Sequence, residues 1–347
     1  MGIISRLMTA VTLGLVVAAA GNGAPLPGAG GEPGDGGWTL ELANDGLGFV
    51  SGDQNFSAGL AVTLHGTRAR DTWISLDPVL GWINAGLPLP RSGLRRHALE
   101  FGLAMFTPGA LGESEPIRDD HPYACLPFLA NTRRDVEAGA ALAYQSTLLL
   151  GVLGTDLCEH LQREAHELIN DTLPRGWDNQ ISEGGEPTAR YSLARRSLLY
   201  LGTADAGRGE LVWNLEGAAG FTTHLGLGLD WRWGQFASAW WSRAPSQNEY
   251  LGLGAGVVTG RERYLFGGFS LRARAYNALL QGQFRDSRVT FDRDQLRVVV
   301  AEGWLGATTS LGRHRQLSFV FRVRSPELRP AKQNIPVSGS LIFSFAP

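Results

Sequence analysis

The chain has 347 residues, a formal net charge of -2 and an isoelectric point near 6.4. So balanced a charge carries no electrostatic footprint for the phosphate backbone, and no nucleic-acid partner is expected. Only 18% of residues are charged, against roughly 25% in ordinary soluble domains, whereas Gly reaches 46 and Trp 10.

In chain order, Arg6 and the short apolar run Leu7 to Ala20 read as an export signal over residues 1–24, with small residues at Ala18, Ala19, Ala20 and Ala24 for cleavage. The run is too short for a comfortable membrane helix, and no later stretch is long and apolar enough for one. Residues 25–37, rich in Pro and Gly, predict a mobile leader. From Trp38 to the end, residues 38–347 read as one domain of alternating segments. These are 38–42, 56–65, 97–106, part of 138–150, 211–216, 225–233, 264–275, 296–304, 317–323 and 338–345.

In 225–233, Leu225, Leu227, Leu229, Trp231 and Trp233 share one face, and Gly226, Gly228, Asp230 and Arg232 the other. This segment alone suits a soluble sandwich as well as a wall between lipid and a polar lumen. The export signal, the strand length and the aromatic residues at strand ends decide for the membrane. The expectation is all-β: an antiparallel transmembrane barrel of about twelve strands with one short helix in a loop, an even count as such barrels require. The last segment, Ser338 to Phe345, resembles the assembly strand of outer-membrane proteins, although Ala346 and Pro347 follow the aromatic end.

The expected helix is Thr155 to Asn170, where Leu157, Leu161, Ala165 and Leu168 form one stripe and Pro174 and Gly176 end it. His166 sits at the stripe's edge with Gln162 one turn earlier, able to orient one ring nitrogen. A lone helical histidine is more often structural; a helix interrupting a run of strands makes the functional reading worth carrying. Asn44-Asp45-Gly46 alone reads as a turn. With Asp53, Gln54, Asn55 and Ser57 nearby it gathers the oxygen donors that a hard cation such as Ca2+ takes. Trp177, flanked by Arg175, Asp178, Asn179 and Gln180, reads first as a loop lock. Cys125 and Cys158 are the only cysteines. An oxidising periplasm would let them join, and two buried thiols suit the sequence equally well.

Together these clusters resemble the outer-membrane lipid A 3′-O-deacylases, the LpxR-like family. The resemblance rests on Asn44-Asp45, on Asp53 with Phe56-Ser57-Ala58-Gly59, on Phe106-Thr107-Pro108, on Asp120-His121-Pro122-Tyr123-Ala124, on Gly151-Val152-Leu153-Gly154, on Gln162 with His166, and on Gly176-Trp177-Asp178-Asn179-Gln180. Ser57 stands where Thr is usual and His121 where Arg is usual. Where some members carry Glu and Lys, this chain has Thr172, preceded by Asp171, and Glu113, with Arg118 nearby. The resemblance implies a site at the extracellular side, between wall and lipid, and Ca2+-dependent hydrolysis of the 3′ acyloxyacyl ester of lipid A. It implies His166 as general base with Asn44 and Gln162, Asp45, Ser57 and Asp171 as metal ligands, and Arg118 and Trp177 as substrate contacts. It further implies an outer-membrane location, lipopolysaccharide as partner and a monomeric state. Two other readings stay open. A non-catalytic pore expects a wide polar lumen and no convergence of Asn44, Asp45, Ser57 and His166. A phospholipase needs an activated serine, for which no Gly-x-Ser-x-Gly elbow is present.

Overall fold

The structure is a computed structural model describing residues 32–48, 55–90, 93–137, 141–204, 207–243, 249, 260–329 and 335–347. The signal segment, the leader up to residue 31 and the Asp53-Gln54 pair lie outside the described residues.

Twelve antiparallel strands close into one barrel. They are β1 (Trp38–Asn44), β2 (Asn55–His65), β3 (Leu94–Thr107), β4 (Ala124–Val136), β5 (Leu142–Leu153), β6 (Glu186–Ala204), β7 (Gly207–Gly220), β8 (Thr222–Gln235), β9 (Arg263–Asn277), β10 (Val299–Ser310), β11 (Arg315–Arg324) and β12 (Val337–Phe345). Each strand pairs with its sequence neighbours, and β1 closes on β12 from Trp38 opposite Phe345 to Asn44 opposite Gly339. Closure removes the edges that an open sheet would expose. An even strand count puts Trp38 and Phe345 on the same rim, where the Trp38 ring packs at a tilt against Phe343 and Phe345, centroids 5.6 and 6.0 Å away. The connections 45–54, 108–123 and 154–185 lie on the opposite rim.

Strand β8 decides between barrel and sandwich. Leu225, Leu227 and Trp233 are exposed on the outside, while Gly226, Gly228, Asp230 and Arg232 are buried inside. The apolar side faces outward and the polar side inward, as a wall between hydrocarbon and lumen requires. No helix among the described residues is long and apolar enough to cross a membrane. The lumen is filled rather than open. Arg272 bonds Glu216 and Glu302 at 2.8 and 2.9 Å, Arg232 forks onto Glu210 at 2.8 and 2.9 Å, and Glu249 reaches in to Arg190 and Arg274. Each of these buried charges meets an opposite one, which a low-dielectric interior demands. Two cavities of about 60 and about 40 Å3 lie within it.

Among the described residues four short helices interrupt the strands, rather than the single one expected: α1 (Thr67–Asp71), α2 (Asp77–Ala85), α3 (Leu157–Ile169) and α4 (Ala278–Gln281). Helix α3 is the predicted one. Helices α1 and α2 fill the β2–β3 connection and pack on the outer wall. The end of the leader bonds to the ends of β2 and β3. Gly36 N–H donates to the His65 carbonyl at 2.9 Å, His65 N–H donates to the Gly37 carbonyl at 2.9 Å, and Glu32 accepts from the His97 ring at 2.7 Å.

Candidate active site on the outer wall

The site begins with a break in pairing between β2 and β3. Register shifts between Phe56 and Ala58, leaving Ser57 without a partner residue across the strand. Asn55 beside it takes a left-handed φ of 67°. Such a bulge re-aims one side chain; here the buried Ser57 hydroxyl meets the hydroxyl of Thr107. The Ser57 carbonyl accepts from the Asn44 side-chain amide at 2.7 Å and from the Asp45 N–H at 3.3 Å. The Gly46 N–H donates to both Asn44 Oδ1 and Asp45 Oδ1 at 2.8 Å. The turn chemistry of Asn-Asp-Gly is therefore real, and it holds the buried Asp45 carboxylate beside Ser57.

The second wall of the site is α3. Its C-terminus is turned by Asn170 in the left-handed conformation at φ 54°, ψ 46°, and the Asp171 N–H caps the His166 carbonyl at 2.9 Å. The reversal brings the Thr172 carbonyl to His166 Nδ1 at 2.7 Å. A carbonyl only accepts, so the proton sits on Nδ1 and the basic nitrogen of the neutral ring is Nε2. The orienting carbonyl is thus Thr172's. Gln162 accepts from the Trp177 indole N–H at 2.9 Å.

Helix α3 is docked by a covalent bond as well. Cys125 on β4 and Cys158 on α3 form a disulfide, with Cα atoms 5.6 Å apart, which resolves the question the sequence left open. Around it Met105, Leu111, Tyr123 and Trp177 pack into one buried cluster, with the Tyr123 and Trp177 rings 4.8 Å apart.

Between α3 and the outer face of β1–β3 lies a cavity of about 710 Å3. Asn44, Asp45, Ser57, Gln162, His166 and Asp171 all line it, together with apolar Leu60, Leu103, Met105, Leu111, Leu161 and Ile169. Six of the eight residues expected from the sequence therefore converge. Arg118 is exposed on the 108–123 connection and does not line the cavity. Trp177 is 2% exposed and also off the lining; it fastens α3 through Gln162, in line with its first reading as a lock. Thr107 and the Thr172 carbonyl were not foreseen. The outward alternation of Leu103 and Met105 in the predicted third strand could have signalled the apolar lining.

The oxygen donors suit a hard cation in kind: a buried carboxylate at Asp45, a hydroxyl at Ser57, an amide oxygen at Asn44 and a second carboxylate at Asp171. They do not make a carboxylate-rich cage. Among the described residues no group of three or more His, Cys, Asp or Glu could hold a metal ion. A cation here would complete its shell with water and backbone oxygens.

A closed twelve-stranded barrel, apolar outside, packed inside and clefted on its outer wall, defines an outer-membrane β-barrel with a lipid-side site. The chain belongs to the family described as Outer membrane protein LpxR, whose model matches residues 7–346. The chain is similar in fold to the solved LpxR from Salmonella typhimurium, with a TM-score of 0.70, 15% identity, and 89% of this chain and 99% of that one covered. A weaker likeness, at a TM-score of 0.41 and 11% identity over 90% of this chain and 99% of that one, is to the beta domain of the Bordetella autotransporter BrkA. No curated protein sequence matches the chain. Its location is the outer membrane.

Proposed function

We propose that the protein is a lipid A deacylase that hydrolyses the 3′ acyloxyacyl ester of lipopolysaccharide in the outer leaflet. The observation that carries this reading is His166, oriented through Nδ1 by the Thr172 carbonyl, on the lining of a large, half-apolar cavity between wall and helix. That cavity opens on the side of the wall where acyl chains lie, which suits a lipid substrate better than a soluble one. In this role His166 Nε2 takes a proton from a water molecule as its oxygen bonds to the ester carbonyl carbon. The proton then passes to the leaving sugar oxygen as the carbon–oxygen bond breaks. Leu60, Leu103, Met105, Leu161 and Ile169 would receive the acyl chain, and Gln162 would hold α3 in place through Trp177.

Asp45, Ser57 and Asp171 would hold Ca2+, with Asn44 beside them. When bound, the cation would supply positive charge to the developing oxyanion. A pore reading expects an open lumen, and the described lumen is packed with ion pairs. A serine phospholipase would need a base on Ser57, whose hydroxyl partner is Thr107.

The test is mass spectrometry of lipid A from cells producing the wild type or His166→Ala, with calcium supplied or chelated. Loss of the 3′ acyloxyacyl group only with wild type and calcium is the expected result. An identical acylation pattern in all four samples overturns the proposal.

A further inference from the structure

The β2–β3 connection leaves the rim that carries the chain ends and climbs the outer wall. There the wall is polar where it should be apolar: Asn131 on β4, Ser146 on β5 and Tyr191 on β6. Asn131 Oδ1 accepts from the Leu76 N–H at 2.8 Å and its amide donates to the Ser75 hydroxyl at 3.0 Å. At the other end of α2, the Asn84 amide donates to Ser146 at 2.8 Å and Asn84 Oδ1 accepts from the Tyr191 hydroxyl at 2.9 Å. Leu80 is fully buried between these anchors. Left facing hydrocarbon, the same polar atoms would have no partners, a cost that no spanning wall carries for long.

The opposite face of α2 has the reverse character. Pro78, Val79, Trp82 and Ala85 are exposed and uncharged, Trp82 to 79%, and Trp73 just before the helix is 94% exposed. The one acidic residue of the helix, Asp77, turns inward to within 3.6 Å of His97 Nε2. A helix in water buries its apolar face and shows its polar one; this helix does the opposite.

We propose that α2 is a membrane-embedded element whose outer face lies among the acyl chains of the periplasmic leaflet, with Trp73 at its interfacial edge. Two observations favour lipid over a protein occupant. The exposed face continues the apolar belt of the wall, formed by Leu64, Phe101 and Leu150. A nine-residue helix is about 13 Å long, far too small to supply the roughly 800 Å2 per partner of a stable protein interface. The exposed charges of α1, Arg68 and Arg70, pair with Asp35 and Asp71. Tryptophan at such a boundary is the usual interfacial anchor.

The two natural cysteines are joined, so an introduced cysteine is the only free thiol. A nitroxide on Trp82→Cys, Val79→Cys, Leu150→Cys or Arg68→Cys, in the full barrel reconstituted in phosphatidylethanolamine–phosphatidylglycerol vesicles, reports collisions with oxygen and with a water-soluble nickel chelate. Assembled barrels are selected by their heat-dependent electrophoretic mobility. The oxygen-to-nickel ratio at 79 and 82 should match that at 150 and exceed that at 68 several-fold. A ratio at 79 and 82 as low as at 68 places the face in water and overturns the proposal. Exclusion of both reagents means that protein covers the face, and overturns it equally. The two positions read the same face, so one assembled variant suffices.

Discussion

The disulfide offers the sharpest quantitative prediction about the site. Cys125 and Cys158 are 33 residues apart in sequence, and their bond closes β4, β5 and the start of α3 into a loop. For a fully unfolded loop of that size the chain-entropy relation gives about 4 kcal/mol, which with β4 and β5 folded is a ceiling of roughly a thousandfold on the ratio of docked to undocked helix. A helix of 13 residues is marginal alone in water, so the remaining restraints are the Trp177–Gln162 hydrogen bond and the buried cluster. The perturbation is the Cys125→Ala/Cys158→Ala double variant, or reduction of the wild type. Hydrogen exchange of residues 157–169 should accelerate by up to about a thousandfold, with the strands unchanged, and lipid A deacylation should fall in step. Unchanged protection of α3 with the bond removed would show that packing alone holds the helix, and would refute the reasoning.

Other expectations follow from single contacts. His166→Asn should lower the deacylation rate by roughly 10²- to 10⁴-fold, the usual worth of a general base, with the barrel still resisting unfolding by heat as the wild type does. Asp45→Asn should raise the calcium concentration needed for half-maximal activity, as read from a calcium titration. Gln162→Leu leaves the buried Trp177 N–H without its acceptor, costing about 1–3 kcal/mol of local stability, measurable as accelerated exchange in α3. Leu227→Arg, on the outward face of β8, should cost about 2–4 kcal/mol if that position is at mid-membrane, whereas the same change in a soluble sheet's solvent face would be nearly neutral. His121 is buried against Phe106, and burial holds its imidazole below the ordinary histidine range. The unfolded chain then binds the extra proton, so stability falls as pH drops below about 6.5, and His121→Gln should remove that part of the pH dependence of unfolding.

The most directly legible strands are β8 and β9. In β8 and β9 every second residue meets lipid, and the alternation reads directly from the sequence. Strand β4 was missed because helices cover it. Cys125 faces α3, while Asn131 and Arg133 lie under the α1–α2 segment, so its outward positions carry no apolar period. Strand β6 was missed for a related reason: Tyr191 meets α2, a shift in pairing falls between Leu198 and Tyr200, and Arg195 and Arg196 break the run. Helix α2 had a signal, Asp77-Pro78 in its first turn, but its outer face is apolar, so the pattern reads as neither a soluble helix nor a strand. At the site, side-chain identity carried over well, because Asn44, Asp45, Gln162 and His166 are fixed by local turns and one helix. The Thr172 carbonyl could not be read, since a backbone acceptor leaves no mark on residue type.

The packed lumen and the external cleft are two sides of one constraint. A twelve-stranded wall encloses enough space for a channel, yet here Arg272, Glu302, Arg232 and Glu210 fill it with paired charge. Breaking such pairs singly would strand a charge at a cost of about 3–5 kcal/mol, so the interior is poorly placed to evolve a cleft. The outer wall faces hydrocarbon and tolerates polar atoms, such as the Arg95–Asp135–Arg133 pairs beside α2, only under cover. Helix α3 provides that cover over the bulge at Ser57, as α2 does over Asn131 and Ser146. The difference between the two covers is what they leave room for. Helix α2 sits on the wall with hydrogen bonds to all three polar positions, whereas α3 stands off it, tethered at one end by the disulfide and fixed at the other by the turn at Asn170. The gap between those two fixtures is the cavity, and His166 is on the helix face that borders it.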